Sequence, residues 1–227
     1  MKSRFKREKK EVLPNFWWEY QAKFSEEEPK EIEQTTFVLW DTETTGFNVT
    51  QDRILCIGAV KLLNGMLEVK NSFEVFLSQN YYDAETAKIH GILKKEKTTC
   101  LIELDALKQF LDYIGNAVLV GHHVLFDVNM INEALNRLGL PKLKNKTLDT
   151  SLLYKQTLLA TSMLQKKEQY TLDELAEKFD ISKKDRHTAL GDALITAYAF
   201  MEILQRLKPK DIKELFKKQY PPRFSIW

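Results

Sequence analysis

The acidic residues best suited to chemistry stand where a packed fold does not ordinarily put acids. Asp41-Thr42-Glu43-Thr44-Thr45-Gly46 extends the apolar run Phe37-Val38-Leu39-Trp40. That run reads as a buried strand over residues 35–41. Residues two apart on a strand share a face, so Asp41 and Glu43 put two like charges side by side at a sheet end. Such a pair is unfavourable unless a cation or a shared proton compensates. A solvated strand-to-turn cluster accounts for the same letters, because Thr-Gly suits a turn. Asp-x-Glu alone is also a common pattern. In Asp83-Ala84-Glu85 the preference of acids for a helix start explains it.

Two further acids repeat the anomaly. Asp127 falls on the stripe Val124, Val128, Ile131, Leu135 and Leu138 of a helix over residues 124–138. A carboxylate on a core-facing stripe is costly unless it is paired or binds metal. An acid serving the helix N-terminus is the plainer reading. In His187-Thr188-Ala189-Leu190-Gly191-Asp192, Asp192 opens an apolar helix over residues 189–207, with Thr188 as its N-cap. His187 is then left just outside the helix, free to lean over the same place, and Gly191 permits a close approach. A surface histidine and a helix-dipole acid form the bland alternative.

Four carboxylates without cysteine suit hard divalent cations, Mg²⁺ or Mn²⁺, better than zinc. Two such ions about 3.5–4 Å apart stabilise the attacking and leaving oxygens of a phosphoryl displacement. A histidine with the usual pKa of ~6.5 takes a proton from water near neutral pH.

The surrounding pattern supplies the elements that must position these groups. Asn64-Gly65 predicts a hairpin joining strands near 53–63 and 66–77. Gly115 and Gly139 close helical patterns, and residues 117–121 and 147–149 read as strands. A helix over 150–160 follows, then the capping box Thr171-Leu172-Asp173-Glu174. A meander followed by alternating strands and helices predicts an α/β fold with a mixed sheet. Residues 35–207 are expected to form that domain, between a charged, aromatic-containing extension at 1–34 and a basic tail at 208–227.

The order Asp41-x-Glu43, Phe126-Asp127, then His187 with Asp192 five residues on resembles the histidine subclass of the DEDD exonucleases. It is similar in particular to the proofreading epsilon subunits of bacterial DNA polymerase III. Ile89-His90-Gly91-Ile92 and the stretch 170–179 add to the likeness. The resemblance implies a ribonuclease H-like fold, with a mixed five-stranded sheet flanked by helices. It implies 3′–5′ release of nucleoside 5′-monophosphates with two Mg²⁺ or Mn²⁺ ions. Asp41, Glu43 and Asp192 would hold one ion, Asp41 and Asp127 the other, with His187 as general base. Thr42, Thr44, His90 and Phe126 would line the terminal nucleotide. Family members often carry Asn where His123 stands.

The implied partners are single-stranded or frayed DNA 3′ ends, with RNA as the alternative, and a DNA polymerase subunit, in replication or repair. The rivals are an exoribonuclease of the ribonuclease T or oligoribonuclease type and a polymerase accessory or nucleic-acid-binding module. No apolar run approaches the ~20 residues of a membrane span, and the charged N-terminus lacks a signal region. A cytoplasmic protein is expected, with Cys56 and Cys100 as reduced core thiols. The net charge of +2 hides an uneven distribution: residues 35–207 hold 20 basic and 22 acidic residues, residues 1–10 hold six basic and one acidic, and residues 208–227 hold six basic and two acidic. Two bound divalent ions would reverse the core's sign, so a neutral composition does not argue against a nucleic-acid substrate.

Overall fold

A computed structural model describes residues 13–79, 99–158, 167 and 169–220. The expected elements at 80–98, His90 among them, lie outside the described residues, as do the end of the helix predicted over 150–160 and the last residues of the basic tail. In chain order the elements are α1 (Asn15–Ala22), β1 (Phe37–Thr44), β2 (Ile54–Leu63), β3 (Met66–Leu67), β4 (Phe73–Leu77), β5 (Cys100–Leu101), α2 (Glu103–Ile114), β6 (Val118–Gly121), α3 (Leu125–Arg137), β7 (Thr147–Asp149), α4 (Thr150–Thr157), α5 (Leu172–Lys178), α6 (Ala189–Leu207) and α7 (Ile212–Gln219).

The sheet runs β5-β4-β2-β1-β6-β7, with β3 attached to β2. β1 pairs antiparallel with β2 and parallel with β6, and β6 pairs parallel with β7, so the sheet is mixed as expected. Five of the strands are three residues or longer; β3 and β5 add two residues each.

Alternation along the strands divides the core into two layers. Val38, Trp40, Ile57, Ala59 and Leu119 face one side, where they meet Phe110 and Leu107 of α2 and Ile131 and Leu135 of α3. Phe37, Leu39, Val60, Leu62, Val118 and Val120 face the other, where α6 contributes Ala197, Phe200 and Ile203. Phe37 meets Phe200 edge-on at 5.1 Å, a geometry that adds about 0.5–1.5 kcal/mol to its burial.

The single strand expected over 66–77 is broken. β3 pairs Leu62 with Leu67, yet Ala59 pairs with Phe73, three residues beyond a continuous register. The polar stretch Glu68-Val69-Lys70-Asn71-Ser72 absorbs the difference in a 3₁₀ turn, closed by Asn71 N–H to the Glu68 carbonyl. Cys56 is buried in β2, but Cys100 is exposed on the two-residue edge strand β5, correcting the expectation of two core thiols.

The described parts of both flanking segments pack on this frame. Trp17 and Tyr20 lie on one face of α1 and are buried in the α2–α3 layer, whereas Trp18 is exposed. The Tyr20 hydroxyl donates to Asn145 Oδ1 at 2.6 Å, and Asn145 Nδ2 donates to the carbonyls of Gly115 and Ala117. On α7, Leu215 is buried in the α6 layer. The Gln219 amide accepts from Asp149 N–H at 2.6 Å and donates to the Thr147 carbonyl, covering the open edge of β7. Among the described residues no helix is long and apolar enough to cross a membrane.

Candidate active site

β1 carries the site because its alternation continues beyond the core. Phe37 and Leu39 face α6, and the same period turns Asp41 and Glu43 that way; Thr42 and Thr44 turn toward α3. The pairing Glu43↔Cys56 is followed by Thr44↔Ile54, a bulge that leaves Leu55 unmatched and ends the ladder beside the carboxylates. Next comes a turn organised by Asp52, which accepts from Thr45 Oγ1 and Asn48 N–H, both at 2.8 Å. Gly46 leaves room for this carboxylate, because a Cβ there would lie 2.6 Å from it and the Asp52 side chain would have to shift. The turn presents Phe47 to solvent, 83% exposed, with its ring 5.9 Å from that of Phe126. Thr44 Oγ1 donates to the Gly46 carbonyl at 2.8 Å.

α6 delivers the third carboxylate. The Thr188 hydroxyl caps the helix, accepting Gly191 N–H at 3.1 Å and donating to the Asp185 carbonyl at 2.8 Å. Two glycines allow the close fit. A Cβ on Gly58 would lie 2.2 Å from the backbone of Ala189 and Leu190, and one on Gly191 would lie 1.9 Å from the Asp185 carbonyl oxygen. The first turn of α6 therefore rests on β2 at Gly58, the residue paired with Asp41. As a result, one oxygen each of Asp41, Glu43 and Asp192 lie within 4.8 Å of one another.

His187 precedes this helix, exposed and in the left-handed region (φ 65°), and its backbone N–H reaches Asp192 Oδ1 at 3.3 Å. Arg186 donates from Nη1 to Asp192 Oδ2 at 2.5 Å. Its Nε and Nη2 hold the Asp173 carboxylate at 3.1 and 3.2 Å.

Asp127 approaches from the other side of β1. It is 4% exposed, and its Oδ1 accepts the Thr42 N–H at 3.1 Å and the Thr42 hydroxyl at 2.5 Å. It therefore adjoins the three-carboxylate group without being a member of it. The start of α3 is fixed by Asp149, whose Oδ2 accepts Val124 N–H at 3.1 Å while Oδ1 caps α4 through Ser151 N–H. His123 lies just before α3 at φ 57°, a region that Asn and His tolerate better than most residues. His122 is structural: Nε2 donates to the Tyr170 carbonyl, Nδ1 lies 2.9 Å from Thr150 Oγ1, and burial lowers its pKa to about 3.

The site gathers negative charge in poor solvation. Burial, then Asp127, Asp192 and Glu43, push the Asp41 carboxyl well above the usual range. Burial, then Asp192 and Asp127, raise Glu43 to about 8, and Arg186 opposes the shift. Burial raises Asp127 against the two Thr42 hydrogen bonds. Asp192 is raised by burial too, with Arg186 and the His187 N–H pulling it back. Carboxylates with a strong affinity for protons, converging with oxygen atoms and no sulfur, form the donor set that a hard divalent cation takes.

The structure thus brings Asp41, Glu43 and Asp192 together, sets Asp127 beside them through Thr42, ties the His187 backbone to Asp192, and sets the Phe126 ring beside Phe47; His90 lies outside the described residues. Sequence reasoning missed Arg186 and its partner Asp173, although an arginine flanking a candidate ligand was visible. It also missed Gly58, a glycine inside a strand pattern, which signals close approach of another backbone.

The sequence model of the exonuclease family matches residues 38–200. A DNA polymerase III PolC-type of Caldanaerobacter subterraneus subsp. tengcongensis is 36% identical over 181 residues, which cover 79% of this chain and 12% of that protein. A DNA polymerase III subunit epsilon-like protein of Rhodobacter capsulatus is 31% identical over 185 residues, 80% of this chain and 25% of the relative. The chain thus spans a small part of the length of these relatives. E. coli Exonuclease I, solved in complex with a dA16 oligonucleotide, shares the fold with a TM-score of 0.67 at 17% identity, over 81% of this chain and 43% of that one. The family match runs through all four acids and the sheet that carries them, and the chain belongs to the exonuclease family.

Proposed function

We propose that this chain is a divalent-metal-dependent 3′–5′ exonuclease of the DEDD histidine subclass. It trims single-stranded or frayed DNA 3′ ends and releases nucleoside 5′-monophosphates. The observation that carries this reading is the convergence of Asp41, Glu43 and Asp192 at the end of β1, in a chain of the exonuclease family. These three would hold one Mg²⁺ or Mn²⁺, and Asp41 with Asp127 a second. When bound, such ions stabilise the attacking and leaving oxygens at phosphorus.

The remaining work falls to the chain. Thr42 fixes Asp127 through two hydrogen bonds, so this carboxylate is oriented before substrate arrives. His187 accepts the proton of the attacking water as its oxygen bonds to phosphorus and the P–O3′ bond breaks. The departing O3′ takes a proton from solvent. Phe47 and Phe126 offer an aromatic surface on which terminal bases stack, a contact that tolerates any sequence. Thr44 would lie along the terminal nucleotide, with His90 completing the pocket. Residues 35–207 would form the domain, and the basic ends would add attraction for the phosphate chain.

The relatives named as DNA polymerase III support DNA over RNA as substrate, and a proofreading role beside a polymerase. Asp192→Asn keeps the shape of the side chain and removes its charge. The expected result is a loss of hydrolysis beyond the roughly 100-fold typical of a supporting residue, on paired DNA and RNA oligonucleotides of one sequence. Wild-type cleavage by Asp192→Asn would remove the metal assignment, and faster cleavage of RNA would change the substrate class.

A further inference from the structure

Arg186 is the sole basic side chain that touches the three-carboxylate group among the described hydrogen bonds and ion pairs. Its nitrogens are divided between two acids. Nη1 binds Oδ2 of Asp192, whose side chain is 8% exposed, whereas Nε and Nη2 grip Asp173, whose side chain is 44% exposed on the first turn of α5. The guanidinium therefore spans from a solvent-side acid to a site-side acid. The grip on Asp173 is the two-point fork that arginine makes best. Release from Asp192 would leave it anchored.

We propose that Arg186 is an exchangeable counter-ion for the metal site: in the metal-free protein it neutralises Asp192, and on loading it retires to Asp173, so its hold on Asp192 sets how tightly a divalent cation binds. This rests on the metal-site reading above. Two observations favour exchange over coexistence. The contact at Oδ2 is short and charge-assisted, so Arg186 engages a carboxylate that a cation would also draw on. A divalent ion beside the guanidinium would also meet a like charge within a few ångströms in poorly solvated surroundings. The other Asp192 oxygen accepts the His187 N–H, so both oxygens are held from one two-residue step of chain. Exchange at Arg186 thereby ties metal loading to the placement of His187, and Arg186 acts as a positioning residue.

The test is Mn²⁺ binding to the full chain, followed by calorimetry after chelator treatment, for wild type, Arg186→Gln and Arg186→Lys. Arg186→Gln is expected to bind Mn²⁺ about tenfold more tightly, equivalent to about 1.4 kcal/mol. Its metal-free form should melt below wild type, and its Mn²⁺-saturated form close to it. Arg186→Lys keeps the charge but loses the fork, and should tighten binding by a smaller factor; it carries the test if the glutamine variant does not fold without metal. Equal or weaker Mn²⁺ binding by a folded variant would overturn the exchange while leaving the metal site standing. Absence of Mn²⁺ binding by wild type would overturn both.

Discussion

Gly58→Ala tests whether the approach of α6 to β2 is what assembles the site. The added Cβ would meet the Ala189 carbonyl carbon and the Leu190 nitrogen at 2.2 Å, where ordinary contact begins at 3.4 Å, so helix and strand must separate by about 1.2 Å. Both obstructing atoms are backbone, and no side chain can rotate away. Overpacking of this kind costs about 1–3 kcal/mol. At roughly 2–4 °C per kcal/mol for a chain of this size, the melting temperature should fall by about 2–12 °C. The displaced turn carries Asp192, and a misplacement of about 1 Å at a catalytic group costs on the order of 100-fold in rate. Thermal unfolding with and without Mn²⁺, alongside oligonucleotide hydrolysis, reads both effects. Ile203→Val, at the far end of α6 and fully buried, is the control: about 0.5–1.5 kcal/mol of stability lost with the rate unchanged. A Gly58→Ala protein with wild-type stability and rate would refute this account of the site's assembly. Equal rate losses in both variants would reduce the effect to general destabilisation.

Two other outcomes follow from the same geometry. Glu43, raised from 4.5 to about 8, keeps in the fold a proton that the unfolded chain releases. Glu43's contribution to metal-free stability is therefore fully present below about pH 4.5 and is lost as the pH rises toward about 8, while a cation that needs the ionised form binds more tightly across that window. Chelator-treated protein whose stability rises between about pH 5 and pH 8 would contradict the sign. Phe47→Ala should weaken kcat/KM by about tenfold or more through loss of base stacking, with stability unchanged because the ring is exposed. An unaltered kcat/KM would remove Phe47 from the substrate surface.

The parts of the fold written in short-range pattern were legible. The apolar run into β1, the Asn64-Gly65 turn and the Thr188 cap of α6 each declare themselves within a few residues, and all three stand in the structure. So do the same-face placement of Asp41 and Glu43 and the burial of Asp127, because helix and strand periods set them. What stayed hidden depends on partners distant in sequence. Trp17 is buried and Trp18 exposed because α1 turns one face to the core, and nothing local says which face. The three-residue slip between β3 and β4 is decided by pairing with β2. Arg186 looks like another surface cation until α5 and α6 bring Asp173 and Asp192 to either side of it. The Asp149–Val124 link that fixes α3 joins residues 25 apart.

The most direct measurement is product analysis of an oligonucleotide labelled at its 5′ end, incubated with the protein and Mn²⁺ or Mg²⁺, with a chelator control. The expected result is a ladder shortening one nucleotide at a time from the 3′ end, release of nucleoside 5′-monophosphates, and no products with chelator or with Asp41→Asn. Immediate release of the labelled 5′ nucleotide, internal cuts, or cleavage that persists in chelator would contradict a metal-dependent 3′–5′ exonuclease.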